Sequence, residues 1–563
     1  MAETTFWADT DGKDETFGID DATTFDDTLD ASLFMSSWMD FEGISQGLAD
    51  APTSSFEMGN KVFFLTGTDF IYYDGVVSGN VTDIAKVPTI TLGRKTTGGG
   101  TPNEKLNHLI NSWWDSFDTD GVATTFPMSY TGLSVKPLIA VLNGVDKAET
   151  TDFTVNRTTG IVTWGSAPPT GTDTLTIQAD KDGLMDPTVI TGCNMCVEFG
   201  GTNNSMVFVA GNPNFPNVAR YCWVYDPTYW PESSDISVGN DSRSITGFGR
   251  LNNYLVTYKE PGDEFVQWYS ELSLDSTGLI SISTNGLNDE YGCVAPRTVH
   301  PAQNGLIALS DKGVVWTWPS LVKGQANCNL ISQGINGKNG RAMGILDNTK
   351  ADLANAHAEV NGTKYLLHIK DKVWVLDLDY TELAKGKYCW YPYTGTPGNA
   401  GTFYNRDGIL QIGDNTNGII YSEKQAEDSE LYSDNGTDGT AIIDAWWTSP
   451  LMFLGGRNWI KKFIRILLNF KVMAGLEHTL SFITDQGIED IQLRQAAGIF
   501  DARYFDADHF NAGVFNADYP SDQPEKIGYK GEYFQFKIRN NQWNRGMTML
   551  AANIYYSLIK ISK

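Results

Sequence analysis

A two-strand unit recurs six times along this chain: an apolar run, a short turn of Gly, Asp, Asn or Lys, and a second apolar run carrying Trp or Tyr. The units are Val62–Thr66 with Phe70–Tyr73, Met206–Ala210 with Tyr221–Tyr225, Tyr254–Tyr258 with Phe265–Tyr269, Leu306–Ser310 with Val314–Trp318, Tyr365–Ile369 with Val373–Leu378, and Ile409–Gly413 with Ile419–Tyr421. From the second unit onward they recur at intervals of roughly 45 to 60 residues, close to the ~40–50 residues of one four-stranded propeller blade. The repeat therefore predicts an all-β chain with a β-propeller core.

Composition supports that fold class and excludes some functions. Gly 56, 12% aromatic and only 19% charged residues fit many short strands joined by tight turns. The net charge of −27 argues against a protein that grips nucleic acid, because such proteins neutralise phosphates with Lys and Arg. We find no apolar run long enough for a membrane span and no signal-peptide pattern, and therefore expect neither. The six scattered cysteines predict reduced thiols in a chain made in the cytoplasm: Cys193, Cys196, Cys222, Cys293, Cys328 and Cys389.

Composition also changes along the chain and suggests domain boundaries. The first thirty residues carry ten acidic side chains and one lysine, interrupted by Phe6, Trp7, Phe17 and Phe25, which suggests an arm that docks on something. The predicted domains are an acidic arm (1–60), the first part of the propeller (61–100), an inserted amphipathic helix (101–120), an inserted immunoglobulin-like β module (121–185), the rest of the propeller (186–435) and a C-terminal β domain (436–563).

The helix prediction rests on a capping box and an apolar stripe. Thr101-Pro102-Asn103-Glu104 has the capping residues of a helix start. Apolar residues follow at helical spacing: Leu106, Leu109, Ile110, Trp113, Trp114 and Phe117. The stripe lacks the Lys and Arg that bring such helices to lipid, so we expect it to pack on a neighbouring sheet.

Two further segments read as β structure. Between Pro137 and Asp180, alternating strands are joined by turns at Asn143-Gly144 and Thr159-Gly160, which predicts a small sandwich of immunoglobulin-like size. This segment resembles the β modules inserted in phage tail and fibre proteins. The longer strands after residue 440 indicate a C-terminal sandwich or a sheet packed on the ring. There, a five-residue repeat beginning at Phe500, Phe505, Phe510 and Phe515 predicts a compact loop whose phenylalanines pack inward or against a neighbouring subunit.

Several motifs approach known chemistry, and each is better explained by structure. Ser310–Trp316 approaches the Asp-box of sialidase-like propellers, but a turn closing a hairpin explains it better. Cys193 and Cys196 have the spacing of half a zinc site without a second half, which favours two small buried side chains. Gly247–Arg250 lacks the third glycine of a dinucleotide site and is interpreted as a turn between strands. Asp434–Gly439 lacks the last ligand of a calcium loop.

No catalytic constellation emerges from the remaining residues. The six histidines are far apart in sequence and form no motif: His108, His300, His357, His368, His478 and His509. Paired carboxylates for glycoside hydrolysis cannot be selected from 68 acidic residues without a spacing to guide the choice. The sequence therefore predicts no catalytic, cofactor-binding or metal-binding residue, no cofactor, and a chain that is not an enzyme.

The most specific stretch of the chain is 207–258. It contains Gly211-Asn212-Pro213, Asp226-Pro227-Thr228-Tyr229-Trp230-Pro231 and Ile245-Thr246-Gly247 before a strand ending at Tyr258-Lys259. This pattern resembles the propeller of the tail nozzle, hub or "stabilisation" proteins of short-tailed phages, over roughly the middle half of the chain. The insertion after residue 100 departs from the simpler members.

The resemblance implies a structural virion protein of a phage tail, assembled in the host cytoplasm. Such a protein forms a homo-oligomeric ring, typically a hexamer, below the portal or connector proteins. The ring is a conduit and gate through which DNA passes without specific binding, together with ejected proteins, and it contacts tail fibres in some cases. The acidic composition fits a passage that does not retain DNA.

The alternative is a carbohydrate-binding or glycoside-cleaving propeller used for host-surface attachment. In that hypothesis exposed aromatics such as Trp446-Trp447 and Tyr229-Trp230 are the sugar platforms. Aromatic residues at strand ends also serve blade packing, so their presence does not decide between the two. The missing paired acids, the incomplete Asp-box and the absence of a secretion signal favour the tail protein.

Overall fold

The computed structural model describes residues 52–201, 203–262, 264–274, 280–320, 325–337, 344–393, 400–406, 408–414, 420–422, 433–434, 441–442, 444–454, 459–471, 477–494, 520–526, 528–541 and 549–561. The chain divides into two compact units, residues 1–420 and 421–563. The acidic arm up to residue 51 and the phenylalanine repeat at Phe500 to Ala517 lie outside the described residues, as do residues 435–439 of the calcium-loop candidate.

Unit 1 begins with a four-stranded antiparallel sheet formed by β1 (Ser54–Met58), β2 (Lys61–Leu65), β3 (Phe70–Tyr73) and β4 (Ser78–Asn80). An insertion follows, and five further sheets come after it. Their strands are numbered from β14, because β5 to β13 belong to the insertion.

The second sheet contains β14 (Met195–Gly200), β15 (Asn203–Ala210), β16 (Val218–Tyr221) and β17 (Asp235–Ser237). The third contains β18 (Ile245–Leu251), β19 (Tyr254–Lys259), β20 (Gln267–Leu274) and β21 (Ile280–Asn288). The fourth contains β22 (His300–Ala302), β23 (Gly305–Ser310), β24 (Gly313–Pro319) and β25 (Ala326–Leu330). The fifth contains β26 (His357–Asn361), β27 (Lys364–Ile369), β28 (Lys372–Asp377) and β29 (Trp390–Tyr393). The sixth contains β30 (Ala400–Arg406), β31 (Ile409–Asp414) and β32 (Ile420–Ser422).

The six sheets confirm the prediction of an all-β, propeller-type core. In each sheet the strands follow one another in chain order, and the repeated two-strand unit supplies the second and third strands, except in the second sheet, where the predicted run Tyr221–Tyr225 overlaps β16 only at Tyr221. The first strands of consecutive sheets contact one another, from β1 to β14 and onward to β30. The middle strands read as continuous apolar runs, such as Leu306–Ser310, because neighbouring sheets cover both of their faces.

The close contact between the third and fourth sheets explains the glycines of the Gly247–Arg250 motif. Gly247–Arg250 lies within β18, so its interpretation as a turn between strands is wrong. A Cβ on Gly249 would stand 2.6 Å from Cδ1 of Leu306 in the next sheet. Glycine therefore occurs here because only hydrogen fits between the two sheets.

The insertion is a two-sheet sandwich. Its strands are β5 (Thr89–Arg94), β6 (Thr101–Pro102), β7 (Ser112–Thr119), β8 (Thr125–Pro127), β9 (Ile139–Leu142), β10 (Val145–Ala148), β11 (Phe153–Asn156), β12 (Ile161–Trp164) and β13 (Gly171–Asp180). One sheet has the order β10-β9-β13-β7-β5-β6 and the other β11-β12-β8. Asn143 and Gly144 form the expected hairpin turn between β9 and β10, both with positive φ.

The predicted helix at 101–120 is wrong, because this segment contributes β6 and β7 to the sandwich. The strand β7 lies between β13 and β5 and is covered on both faces, so it shows no alternation. An apolar run without alternation satisfies helical spacing by chance. The Glu104 carboxylate accepts hydrogen bonds from Lys86 Nζ at 2.5 Å and from the Thr89 amide at 2.7 Å, instead of capping a helix.

The described helical segments are short and connect sheets. They are α1 (Thr188–Thr191), α2 (Lys350–Ala354) and the 3₁₀ turns Val81–Ile84, Pro296–Thr298, Gln333–Ile335, Ile345–Asp347 and Leu383–Lys385. None of the helices in the described ranges has the length and hydropathy needed to span a membrane.

Unit 2 contains a second sandwich. Its strands are β33 (Ser433–Asp434), β34 (Ala441–Ile442), β35 (Ala445–Thr448), β36 (Trp459–Lys471), β37 (Glu477–Thr484), β38 (Gly487–Arg494), β39 (Pro520–Lys526), β40 (Lys530–Gly531), β41 (Phe534–Asn540) and β42 (Met549–Ile561). One sheet has the order β35-β41-β37-β38; in the other, β36 pairs with β39, β40 and β42. The buried core between them contains Phe463, Ile466, Leu468, Leu480, Phe482, Phe534, Phe536 and Ile538.

Candidate functional site

The outer face of the β35-β41-β37-β38 sheet carries an exposed tryptophan among polar side chains. In β41 the residues Phe534, Phe536 and Ile538 point into the core, so Lys537 and Arg539 point outward. The pairing of Trp446 with Arg539 places the indole on the same outward face. We call this surface the tryptophan face.

Trp446 is the dominant side chain of the tryptophan face. Its side chain is 57% exposed. The Lys537 ammonium lies 4.6 Å from the centre of the indole ring, a cation–π contact that helps to fix the ring. The neighbouring Trp447 points to the other side of the strand, where its ring packs against Phe536 with centroids 5.5 Å apart, although it remains 47% exposed. Trp446 therefore offers a flat apolar surface to solvent.

An ion pair borders this ring. Arg539 donates two hydrogen bonds to Asp444, Nε to Oδ1 at 2.6 Å and Nη2 to Oδ2 at 2.7 Å. The hydrogen bond from Arg539 holds the pKa of Asp444 below its usual range; slight burial opposes this, and the positive charges of Arg539 and Lys537 add to it. The carboxylate and the guanidinium are both half-exposed, so they keep hydrogen-bonding capacity toward solvent.

The polar row continues across the sheet. Arg539 pairs with Thr479, and Thr479 pairs with Gln492 on β38. The Gln492 amide donates to the Thr479 hydroxyl at 2.9 Å. Beside an exposed aromatic ring, a row of hydroxyl, amide and charged groups can stack on the apolar face of a sugar ring and hydrogen-bond to its hydroxyls.

The other aromatic pair of the carbohydrate hypothesis cannot serve this purpose. Tyr229 and Trp230 are 2% and 0% exposed, so their selection as sugar platforms is wrong. The Trp230 indole donates to the Pro227 carbonyl, and the Tyr229 hydroxyl donates to the Lys105 carbonyl, which ties the insertion to the second sheet. Proximity to proline and aspartate did not distinguish a packed aromatic from an exposed one.

A second polar cluster joins the insertion to the second sheet. Arg220 is buried, and its Nε lies 2.8 Å from Oδ1 of Asp235. His108 Nε2 lies 3.6 Å from the same oxygen, and the Arg220 guanidinium stacks over Phe215 at 4.6 Å. Burial acts to raise the pKa of Asp235, but His108 and Arg220 hold it below its usual range. We interpret this cluster as a structural ion pair that anchors the insertion.

The innermost strands carry a chain of polar contacts. The Glu198 carboxylate on β14 accepts from the Glu57 amide of β1 at 3.3 Å and from Asn204 Nδ2 at 3.1 Å. Arg250 of β18 donates to the side chain of Asn204 and to the Gly201 carbonyl. This chain links the first three sheets and brings Glu57 and Glu198 onto neighbouring strands, a pairing that spacing in the sequence gave no means to identify.

Two of the six histidines come together, although their sequence positions suggested they would be distant. His357 and His368 face each other on β26 and β27 with ring centroids 4.6 Å apart, and the His357 ring lies 5.1 Å from that of Phe403. His300 on β22 packs against Tyr365. Burial, the neighbouring His368 and then Arg297 lower the pKa of His357 to about 3. This group belongs to the packing between the fourth, fifth and sixth sheets.

The other motifs have structural roles. Asp311 and Lys312 form the turn between β23 and β24, which confirms that the Asp-box candidate is a hairpin turn. Cys193 is buried, and burial raises the pKa of its thiol to about 12, so it is a poor nucleophile and metal ligand. In the part of the chain that the structure describes, no group of three or more His, Cys, Asp or Glu is placed to hold a metal ion.

Sequence reasoning named Trp446 but missed its companions. Lys537, Arg539 and Thr479 come from strands that are distant in the chain, so only the sheet pairing brings them together. The alternation of EYFQFKIRN does signal that the charged residues of β41 share one face. Nothing in the sequence alone indicates which strand β41 pairs with.

Comparisons with known proteins give distant matches. Neither a protein-family model nor a curated protein matches this sequence. An exo-beta-1,3-galactanase from Phanerochaete chrysosporium with galactose is 9% identical, with a TM-score of 0.24, and the match covers 91% of this chain and 98% of that chain. A variant of that enzyme with beta-1,3-galactotriose is 10% identical at a TM-score of 0.23, covering 91% and 97%. PorZ, a secretion-system component of Porphyromonas gingivalis, is 8% identical at a TM-score of 0.21, covering 86% and 76%.

These matches bear on one expectation. The prediction that the chain is not an enzyme is contradicted, because two of these similar structures are glycoside hydrolases. At TM-scores of 0.24 and 0.23 the likeness assigns neither an activity nor a site residue to this chain. None of the three structures is a phage tail protein.

Proposed function

We propose that this chain is a carbohydrate-binding β-propeller protein whose tryptophan face holds the sugar. The observation that carries the proposal is the 57% exposed indole of Trp446 on the outer face of a sheet, beside Arg539 of the adjacent strand and at the end of a polar row that continues to Thr479 and Gln492. A large aromatic ring exposed in this way loses apolar contact with water when a ligand covers it.

The chemistry of the face fits a sugar better than an apolar ligand. A pyranose has an apolar face of C–H groups and a rim of hydroxyls. Trp446 matches the first, and Arg539 and Asp444 beside it match the second with donors and acceptors. A purely apolar ligand would contact the indole but make no use of the hydrogen-bonding capacity that the polar groups keep toward solvent.

The test uses the full-length protein and a panel of immobilised neutral and acidic polysaccharides. We expect retention of the wild type, and loss of at least roughly tenfold in affinity on Trp446→Ala, since aromatic anchors contribute about 1.4 kcal/mol or more. The matched control is Tyr380→Ala, which removes another exposed aromatic side chain far along the sequence. Equal loss in both variants, or no polysaccharide retention at all, would contradict the proposal.

A more specific form of this proposal is that the protein also cleaves the glycoside. Release of new reducing ends from the retained polysaccharide measures this directly. Glu57 and Glu198 are the first acids to substitute if release is found, because they lie on neighbouring strands, where the Glu198 carboxylate accepts a hydrogen bond from the Glu57 amide. Release that survives Glu198→Gln together with Glu57→Gln would place the chemistry elsewhere.

A second candidate function is the structural tail protein that the resemblance at 207–258 implies. One observation favours it. The first and sixth sheets of unit 1 each have exposed residues on their first strand in a single chain, namely Glu57 on β1 and Thr402 and Tyr404 on β30. In a ring of several copies, neighbouring subunits would cover these residues. Light scattering tests this: a mass of about six chains, alone or with connector proteins, supports the tail protein, and a monomer under both conditions contradicts it.

A further inference from the structure

We propose that the sugar bound at the tryptophan face carries a carboxylate, so that the ligand is an acidic, uronic-acid polysaccharide. This inference rests on the proposed function and names the ligand class of the same site. It starts from the charges that surround the exposed indole of Trp446 and from the position of the Lys537 ammonium.

The charges close to the ring do not cancel. Arg539 and Asp444 neutralise each other in a two-point ion pair. Lys537 forms no hydrogen bond or ion pair with any residue in the described ranges; its ammonium lies 4.6 Å from the centre of the indole ring, and its charge also acts on Asp444. The three groups together therefore leave one positive charge beside the aromatic surface.

No acid on the same row compensates Lys537. The next outward positions on its row are Ser481 and then Asp490, two strands away. Two strand spacings amount to about 10 Å, which is too far for an ion pair. The site therefore offers a flexible ammonium with three donors to a ligand that lies on the ring.

The position of the ammonium suits a substituent of the stacked sugar. Because the Lys537 ammonium lies over one face of the indole, a pyranose would stack on the other face and present a substituent at the edge of the indole, within reach of the long lysine side chain. A carboxylate there would form a charge-assisted hydrogen bond with Lys537, stronger than a bond from a neutral hydroxyl. The whole chain has a net charge of −27, so a lysine without an ion-pair partner among the described residues differs from the acidic character of the rest of the protein.

The experiment compares uronic-acid polysaccharides with their own carboxyl-reduced forms. Polygalacturonate and alginate are each tested in both forms against the full chain at 0.15 M salt. We expect the acidic form to bind roughly fivefold tighter, the scale of an ion pair of about 1 kcal/mol. Lys537→Gln should remove that preference while retaining binding to the reduced form, and Lys537→Arg should keep the preference. Trp446→Ala should weaken binding of both forms.

The outcomes separate this inference from the proposed function. Equal binding of acidic and reduced forms by the wild type, or an unchanged preference in Lys537→Gln, overturns the acidic ligand and leaves carbohydrate binding intact. Binding of neither form, with no effect of Trp446→Ala, overturns both. Dextran sulfate is the control for charge alone: retention that does not depend on Trp446 would show that attraction of polyanions, and not recognition of a sugar acid, explains the preference.

Discussion

At the scale of single residues, the buried carboxylate of Asp115 organises the inserted sandwich. It lies on β7 and accepts hydrogen bonds from Thr91 Oγ1 at 2.5 Å, Trp113 Nε1 at 3.0 Å, and the amide and hydroxyl of Ser129 at 2.8 and 2.5 Å. Four donors thus converge on one acid that is completely buried. An acid in a core is tolerated only when its oxygens are satisfied in this way.

Asp115→Asn should therefore destabilise the protein although it removes a buried charge. The new amide group turns a donor toward donors and leaves at least one of them unsatisfied, which costs about 2 to 4 kcal/mol. Denaturant unfolding measures this difference. Asp146→Asn on the exposed face of β10 is the control and should change stability by less than about 0.5 kcal/mol. Equal stability of the two variants would mean that the Asp115 network is not formed.

The histidine cluster predicts a pH dependence. Burial, His368 and Arg297 lower the pKa of His357 to about 3, from an ordinary value of 6.5. Below pH 6.5 the unfolded chain takes up a proton that the folded chain refuses until about pH 3. Stability contributed by the neutral imidazole is thus fully present above pH 6.5 and declines as the pH falls to about 3, by up to about 1.4 kcal/mol per pH unit.

Replacing His357 tests this contribution. Other groups face the cluster, namely His368, His300, Arg297 and Glu359, so the slope for the whole protein is a sum. His357→Gln should reduce the loss of unfolding free energy between pH 6.5 and 4.5 by about 2 to 3 kcal/mol relative to the wild type. Urea titrations at four pH values give the slope. A parallel slope in the variant would show that His357 is protonated in the folded state.

At the scale of elements, β7 shows what a sequence pattern can and cannot determine. The repeated two-strand units predicted the second and third strands of five sheets, because paired strands there are adjacent in sequence; in the second sheet the predicted run Tyr221–Tyr225 shares only Tyr221 with β16. β7 instead pairs with β13, more than fifty residues away, and with β5 in parallel. Since both faces of β7 are covered, its sequence lacks the alternation that identifies a strand.

A strand at β7 predicts unequal stability losses for substitutions of two adjacent tryptophans, whereas a helix with both on one apolar stripe predicts similar losses. In β7, adjacent residues point to opposite sides, and Trp113 is completely buried while Trp114 is partly exposed. Trp113→Ala should therefore cost about 3 to 5 kcal/mol, and Trp114→Ala about 1 kcal/mol. On one apolar stripe of a helix, both substitutions would cost similar amounts. Denaturant unfolding followed by circular dichroism distinguishes these outcomes.

In the candidate site, too, the sequence identifies individual residues but does not show which strands pair. Trp446 was among the aromatic residues that the sequence offered as sugar platforms. Its neighbours Lys537 and Thr479 could not be selected in this way, since the order β35-β41-β37 is not the order of the chain. Burial decided against Tyr229 and Trp230, which the sequence presented as equally suitable. Local patterns thus identify strands, while long-range pairing determines which side chains meet.

At the scale of the whole molecule, the net charge of −27 opposes the local charge of the tryptophan face. The Debye length is about 30 Å at 0.01 M salt and about 8 Å at 0.15 M. At low salt an anionic polysaccharide therefore senses the repulsion of the acidic chain, whereas at intermediate salt it senses chiefly Lys537 and Arg539. At still higher salt concentrations, screening also weakens the attraction between the polysaccharide and Lys537.

Binding of an acidic polysaccharide should consequently pass through a maximum with ionic strength. We expect the affinity for polygalacturonate to rise between 0.01 and about 0.15 M salt and to fall again toward about 1 M, where the Debye length is about 3 Å. The carboxyl-reduced polysaccharide should bind with little dependence on salt, because it carries no charge for either field to act on. Lys537→Gln should lose the decline at high salt and keep the rise at low salt, since the repulsion comes from the rest of the chain. A monotonic fall for the wild type would show that the local cations dominate at every distance and that the acidity of the chain has no influence on the ligand.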